Sequence, residues 1–298
     1  MKLPLDFIRW VEANPKLVDK KPTSNPDLFV LKYKRKVFYD GLWNRFLEDC
    51  RGTVVDKDWN IVSLPFRKVY NYGIEKEAPK LADDTKIVAM RKYNGFMAAV
   101  SSYKGKLFVS TTGSIDSSFA LMATEMLEKM GTDYMDSLNA YLRGKNATML
   151  FECCHPEDPH IIYEAPGMYE IGVRYNDITR GMEHMWTQYG RPMAWYTTIG
   201  ALKEQIKTCQ HEGYVFYTED GVSAKIKSPH YLVKKLFMRG RDMETLIARN
   251  AKQKIDEEYY PLLDYLSANR ETFDVMEEQE RRAFIEQYLS KEDYGTTT

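Results

Sequence analysis

The sequence predicts an α+β protein, a mostly antiparallel strand-rich body followed by a small all-helical segment. Three observations carry this. Short runs rich in Val, Ile, Phe and Tyr alternate with tight polar turns through most of the chain. Several of those turns close hairpins, so the sheet is read as mostly antiparallel. From about Asp242 the texture becomes long, charged and helix-forming, with no strand alternation. A boundary near residue 240 therefore separates a domain over 1–240, with 1–50 as an N-terminal extension within it, from a helical domain over 241–298.

Leu5–Ala13 reads as a short helix, and Pro15, Pro22 and Pro26 then mark a loop. Leu28–Tyr33 is strand-like. Arg51–Asp56 and Ile61–Pro65 are strands joined by the turn Lys57-Asp58-Trp59-Asn60. Lys86–Arg91, Phe96–Tyr103 and Lys106–Ser110 follow, the last two across Lys104-Gly105. Phe119, Met122, Ala123, Met126, Leu127 and Met130 recur at helical spacing, with Gly131 where a C-terminal cap belongs. Strands resume at Ala147–Cys154, His160–Tyr163, Tyr169–Tyr175, Tyr214–Tyr217 and Ser223–Lys227. Glu219-Asp220-Gly221 makes a hairpin of the last two.

Hydrophobic residues at 44% and charged residues at 29% are ordinary for a soluble globular protein. No apolar run approaches the ~20 residues that span a bilayer, and Met1–Asp6 has no apolar leader core. Cys50, Cys153, Cys154 and Cys209 form no CxxC, so reduced thiols in a cytoplasm are expected. Net charge is −1, yet residues 252–298 carry twelve acids and six bases, leaving the rest of the chain net positive. A polyanion should bind that earlier part.

The chemistry-bearing segment is Arg91-Lys92-Tyr93-Asn94-Gly95-Phe96, answered downstream by Glu212-Gly213-Tyr214-Val215 and Lys225-Ile226-Lys227. Lys92 ends a strand just before a glycine that lets the backbone turn close to a ligand. A protonated lysine cannot attack phosphorus; desolvation or neighbouring positive charge must lower its pKa. Lys225 and Lys227, two apart on a strand, point to one face and can supply that charge. Alone, a Lys-Ile-Lys strand is a solvated face; beside Lys92 and Glu212 it reads as a phosphate-binding pair.

In this order and spacing the chain resembles covalent nucleotidyltransferases, and in particular the phage RNA ligase family of the T-even tRNA-repair type. The likeness runs over roughly residues 30–235. Cys50-Arg51-Gly52 resembles an upstream Arg-Gly element that binds phosphates, and Arg67-Lys68-Val69-Tyr70-Asn71 a Lys-Phe-Phe-Asn element. Lys92 matches the adenylated lysine and Gly95 its turn partner. Gly113-Ser114-Ile115 matches a Gly-Ser-Ile element, and Phe151-Glu152 a Phe-Glu strand whose carboxylate contacts ribose. Val173-Arg174-Tyr175-Asn176, Glu212-Gly213-Tyr214-Val215 and Lys225-Ile226-Lys227-Ser228 with Tyr231 complete the set. Asn94 stands where the family usually has aspartate, though fungal tRNA ligases carry a similar Lys-x-Asn-Gly; Thr112 stands where a lysine is usual.

The resemblance implies a mostly antiparallel nucleotidyltransferase core, ATP-grasp-like, and an ATP-dependent RNA ligase that joins 5′-phosphate to 3′-hydroxyl RNA ends through lysyl-AMP and adenylated RNA. It assigns catalysis to Lys92, Lys225, Lys227 and Glu212. ATP contacts fall to Arg51, Lys68, Tyr93, Gly95, Glu152, Glu212, Lys225 and Lys227, and substrate contacts to Tyr39, Tyr70, Arg174 and Tyr231. ATP and Mg2+, with Mn2+ as its substitute, are the implied cofactors, and Glu212 the implied metal ligand. Implied partners are RNA ends, single-stranded or in a broken tRNA loop, with no membrane and no obligate protein partner. Implied localisation is the cytoplasm, the host's if phage-encoded. A DNA ligase or capping guanylyltransferase fits less well, since no segment suggests the OB-fold that follows their cores. A binding protein that holds RNA ends without sealing them is the alternative of a different class.

Other features read more plainly. Lys32–Tyr39 mixes bases and aromatics, as a surface holding a single-stranded end or as a charged edge strand. Cys153, Cys154, His155 and His160 match no standard zinc spacing and read as core or loop residues. Phe284, Ile285, Tyr288 and Leu289 form a packing stripe, and His184, His211 and His230 have no partner legible in the sequence.

Overall fold

The computed structural model describes residues 1–180, 182–183, 194–238 and 255–290. The strands are β1 (Val18–Pro22), β2 (Leu28–Tyr33), β3 (Arg51–Asp56), β4 (Ile61–Ser63), β5 (Tyr70–Asn71), β6 (Lys86–Lys92) and β7 (Phe96–Tyr103). There follow β8 (Lys106–Thr111), β9 (Ala147–Cys154), β10 (Gly167–Tyr175), β11 (Met182–Glu183), β12 (Ala194–Thr198), β13 (Gly213–Tyr217) and β14 (Ser223–Lys227). Helices α1 (Leu5–Ala13), α2 (Arg35–Tyr39), α3 (Ser118–Glu128), α4 (Thr132–Lys145), α5 (Ile199–Lys207) and α6 (Pro229–Met238) lie among them. Three further helices span Tyr260–Ala268, Arg270–Asp274 and Glu278–Leu289.

Two compact units divide the chain. The first takes Met1–Lys68, Gly95–His160 and Glu164–Pro192, and the second Val69–Asn94, Ile161–Tyr163 and Met193–Thr298. In the first, one sheet has the order β1-β2-β3-β4 and another β11-β10-β9-β7-β8. Phe7, Ile8 and Val11 of α1 bury against Val18, Leu31 and Val55 of the former sheet. The second sheet is covered by Ala123, Met126 and Leu127 of α3 and Leu138 and Leu142 of α4. These side chains meet Ala98, Val100, Met149 and Phe151, the inward positions of period-2 strands.

The second unit is built on the sheet β12-β6-β13-β14-β5. Every pairing there is antiparallel except β14 with β5, which is parallel. Ile199, Leu202 and Ile206 of α5 cover it against Ile87, Ala89 and Phe216. Tyr231, Leu232, Val233 and Leu236 of α6 form a separate core with Ile255, Tyr259, Leu262, Leu263, Leu266, Phe273, Ile285 and Leu289. The expected stripe Phe284, Ile285, Tyr288 and Leu289 is part of that packing. No helix among the described residues is long and apolar enough to cross a membrane.

The structure corrects several sequence-based expectations. Residues 18–22 form an edge strand rather than a loop, with Pro22 at its end, where a missing N–H costs no interior ladder bond. The Lys32–Tyr39 stretch is no edge strand: β2 is flanked by β1 and β3, and Arg35–Tyr39 is helical. In α3 the buried positions are Ala120, Ala123, Met126 and Leu127, while Phe119 is exposed and Met130 lies exposed beyond the helix end. Gly131, at φ +94°, leads directly into α4. His160–Tyr163 contains no strand, and β12 and α5 were not foreseen. Residue 240, the expected boundary, and His184 lie outside the described residues.

Candidate active site

The register of the second unit's sheet brings the lysine and Glu-Gly elements together. Gly213 on β13 pairs with Lys92 on β6 and also with Lys227 on β14. Lys92, Glu212 and Lys227 therefore lie at one end of three adjacent strands. Gly213 adopts φ +141°, and a Cβ there would come within 2.1 Å of the Ile226 carbonyl oxygen. Only glycine allows the backbones to close this tightly, which explains why the glutamate is followed by Gly.

Glu212 is the hub, with 3% of its surface exposed. Its Oε2 lies 3.0 Å from Lys92 Nζ. The Asn94 amide donates to the same oxygen at 2.8 Å, and Lys227 Nζ stands 3.6 Å from Oε1. Burial opposes ionisation of Glu212, but the charges of Lys92 and Lys227 outweigh it and hold the carboxyl below its ordinary range.

Lys227 is gripped from a second side. Its Nζ lies 2.7 Å from Glu258 Oε1, an oxygen that Lys235 on α6 also reaches at 2.8 Å. Lys235 pairs with Asp256 as well. Burial by itself would strip the Lys227 proton, yet Glu258 and Glu212 prevail and raise its pKa. Burial likewise penalises the Glu258 carboxylate, and Lys227, Lys235 and Lys225 more than compensate, depressing its pKa. Lys225, two positions along β14, acts on the same carboxylate. The Tyr231 ring, 4% exposed, lies 5.2 Å beneath the Lys227 ammonium. It buttresses that lysine from inside the fold.

The remaining expected residues are distributed as follows. Tyr70 is buried on β5, which runs beside β14 with Tyr70 opposite Ala224. Tyr93 lies 5.3 Å from the Arg91 guanidinium. In the first unit, the Gly95 N–H donates to Glu152 Oε1 at 3.1 Å. A Cβ on Gly95 would sit 2.3 Å from the Cys153 carbonyl oxygen, so this turn also demands glycine. Arg51 donates to the Arg67 carbonyl at 3.2 Å. Lys68 is buried, its ammonium 4.9 Å from the Trp43 ring. Tyr39 ends α2, edge-on to Phe38.

Three assignments change, the first being Tyr231, expected at the substrate but buried against Lys227. Arg174, expected at the substrate, is 1% exposed and bound to Asp49 at 2.6 Å and to the Pro65 carbonyl at 2.7 Å. It braces the first unit's interior. Glu212 fits an orienting role for lysine but not a magnesium ligand, because both its oxygens already face cations that a hard metal ion would have to displace. Among the described residues no cluster of His, Cys, Asp and Glu has a metal-binding arrangement. The sequence reading missed Asn94, Lys235 and Glu258 as parts of this network; the first lay inside the quoted motif, and the others had no motif to announce them.

The site's ionisation gives stability a definite pH dependence. Burial, then the charge of Arg91, pushes His211 down to about 4, well below its ordinary 6.5. A histidine kept neutral in the fold contributes stability above its unfolded pKa that is lost as pH falls. The depressed carboxyls of Glu212 and Glu258 act with the same sign. Thermal melts should therefore show a midpoint that declines steadily on acidification from pH 7. His211→Gln should flatten the part of the decline between 6.5 and 4, the interval set by its own shift.

Solved structures share this mixed fold of antiparallel sheets and helices. An archaeal ATP-dependent RNA ligase matches with a TM-score of 0.56 at 13% identity, over 99% of this chain and 77% of the other. An Aquifex aeolicus protein described as an ATP-dependent DNA ligase matches at 0.54 and 15% identity, over 97% and 78% of the two chains. Residues 49–232 match the RNA ligase family, and the chain belongs to that family. An RNA ligase of Rhodothermus phage RM378 is 23% identical over 85% of this chain, which spans 58% of that relative's length.

Proposed function

We propose that this protein is an ATP-dependent RNA ligase that joins a 5′-phosphate to a 3′-hydroxyl through a lysyl-AMP intermediate. The observation that carries the reading is the placement of Lys92 and Lys227 on the two oxygens of Glu212 at one strand end. In the first transfer the Lys92 amine, once deprotonated, attacks the α-phosphorus of ATP. A P–N bond forms, the bond to the β-phosphate oxygen breaks, and pyrophosphate leaves. An RNA 5′-phosphate oxygen then takes the adenylyl group and frees Lys92. Finally the 3′-hydroxyl attacks that phosphate and AMP departs.

Lys227 and Lys225 are the proposed phosphate ligands. Lys227 is suited to this because Glu258 and Glu212 keep it fully charged. By family resemblance, Arg51 and Lys68 hold phosphates, Glu152 the ribose, and Tyr93 and Gly95 the nucleotide. Tyr39 and Tyr70 are the proposed RNA contacts, while Tyr231 acts through Lys227. Magnesium, with manganese as its substitute, would accompany the ATP phosphates and reduce their charge, with no ligand assigned to it from this chain. Residues 241–298 are proposed as a helical appendage that supplies Glu258 to the site. RNA ends, in a single strand or a broken tRNA loop, are the proposed substrate, and the cytoplasm the proposed setting.

Incubation with ATP labelled at the α-phosphate, with magnesium, tests this. Label should enter the protein as an alkali-stable, acid-labile phosphoramidate adduct and pass to 5′-phosphorylated RNA. Absence of any adduct would sink the proposal. Label from GTP instead would point to capping, and activity confined to nicked DNA to DNA joining. Firm RNA binding with no product would mark a protein that only holds ends.

A further inference from the structure

The Asn94 side chain is 5% exposed and fastened at both ends. The Ile162 N–H donates to Oδ1 at 2.8 Å, and Nδ2 donates to Glu212 Oε2 at 2.8 Å. The orientation is not arbitrary. A backbone N–H can only donate and an ionised carboxylate can only accept, so the amide must place its oxygen on Ile162 and its nitrogen on Glu212. The oxygen it reaches on Glu212 is the one Lys92 uses at 3.0 Å. Oε2 is therefore shared by the amide of Asn94 and the ammonium of Lys92.

We propose that Asn94 is a positioning residue for Lys92, fixing Glu212 with a neutral donor so that the carboxylate orients the amine without a second negative charge beside it. This rests on the reading of Lys92 as the nucleophile. The charged groups around Glu212 are Lys92 on β6 and Lys227 on β14; Glu258, before the helix Tyr260–Ala268, and Lys235 on α6 lie one contact further, with the Tyr231 phenol. Their balance is set for one carboxylate at the lysine. Aspartate at position 94 has nearly the same shape as asparagine but, when ionised, cannot donate. It would set two carboxylates in contact, and one of the pair would hold a proton well above the usual carboxylate range. Once both ionise, the added negative charge favours the ammonium form of Lys92 and delays the neutral amine to higher pH.

The test compares wild type with Asn94→Asp in two measurements. The first is the rate of adduct formation from α-labelled ATP between pH 5.5 and 9.5. The rising limb of the Asn94→Asp profile should move to higher pH by about one unit, which is about a tenfold slower rate at fixed pH on that limb. The second is the thermal midpoint without nucleotide. A carboxyl whose folded pKa is raised withdraws stability as pH rises, so the deficit of Asn94→Asp should be small near pH 4 and grow toward pH 7. A rate limb coincident with wild type overturns the proposal. So does a deficit of equal size at both pH values, including failure to fold at both, because then charge is not the cause. If wild type forms no adduct, the functional reading fails, and the pH-dependent deficit still decides whether the amide holds Glu212.

Discussion

Lys92→Ala protein incubated with ATP and magnesium should carry no covalent adenylate, a loss of roughly 10³-fold or more, on the scale of nucleophile removal in other enzymes. The effect should be chemical rather than structural. The Lys92 side chain is 22% exposed, and without it Glu212 keeps Lys227 and the Asn94 amide as partners. No buried charge is then left alone, and the fold should survive with a loss of about 1–3 kcal/mol. Lys92→Arg should be as inactive, because a guanidinium does not give up its proton in a protein. RNA supplied already adenylated at its 5′-phosphate should bypass the defect, since sealing needs the phosphate-holding groups but not a free lysine. A variant that formed the adduct at the wild-type rate would remove Lys92 from its proposed place.

Parts of this site were legible because their signals are local. The Lys-x-Asn-Gly turn, the Glu-Gly start of β13 and the alternate lysines of β14 each occupy a few consecutive residues whose geometry follows from strand period and glycine sterics. That their ends coincide depends on register, and the register Gly213 with both Lys92 and Lys227 became visible only in the folded sheet. The distances also became visible only there: Glu212 is in direct contact with Lys92, and Lys227 lies on the other oxygen of that carboxylate. α4 escaped notice because its fully buried apolar positions are few, Leu138 and Leu142, with Tyr134 and Met135 only partly covered. Arg174 was misassigned for a related reason. An arginine in a strand motif looks like a phosphate ligand until its burial against Asp49 is seen.

Glu258 had no sequence signal at all, yet replacing it should have the largest effect on stability. The residue follows Asp256 and Glu257 in a run that reads as solvated acid. In the fold it is 4% exposed and bridges Lys227 and Lys235, both nearly buried themselves. Removing one member of such a group leaves the others charged and unmatched, which typically costs about 3–5 kcal/mol. Glu258→Gln, which preserves shape and removes only charge, should therefore lower the urea midpoint sharply with little change in slope. Adduct formation should fall as well, since Lys227 would lose the stronger of the two carboxylates that hold it charged. Glu258→Gln combined with Lys235→Met should recover part of the lost stability, because the double change removes a cation together with its partner. Recovery of stability without activity would separate the two roles of this carboxylate, bracing α6 through Lys235 and orienting the phosphate ligand Lys227. If the single variant melts as wild type does, the helical segment contributes no electrostatic support to the site.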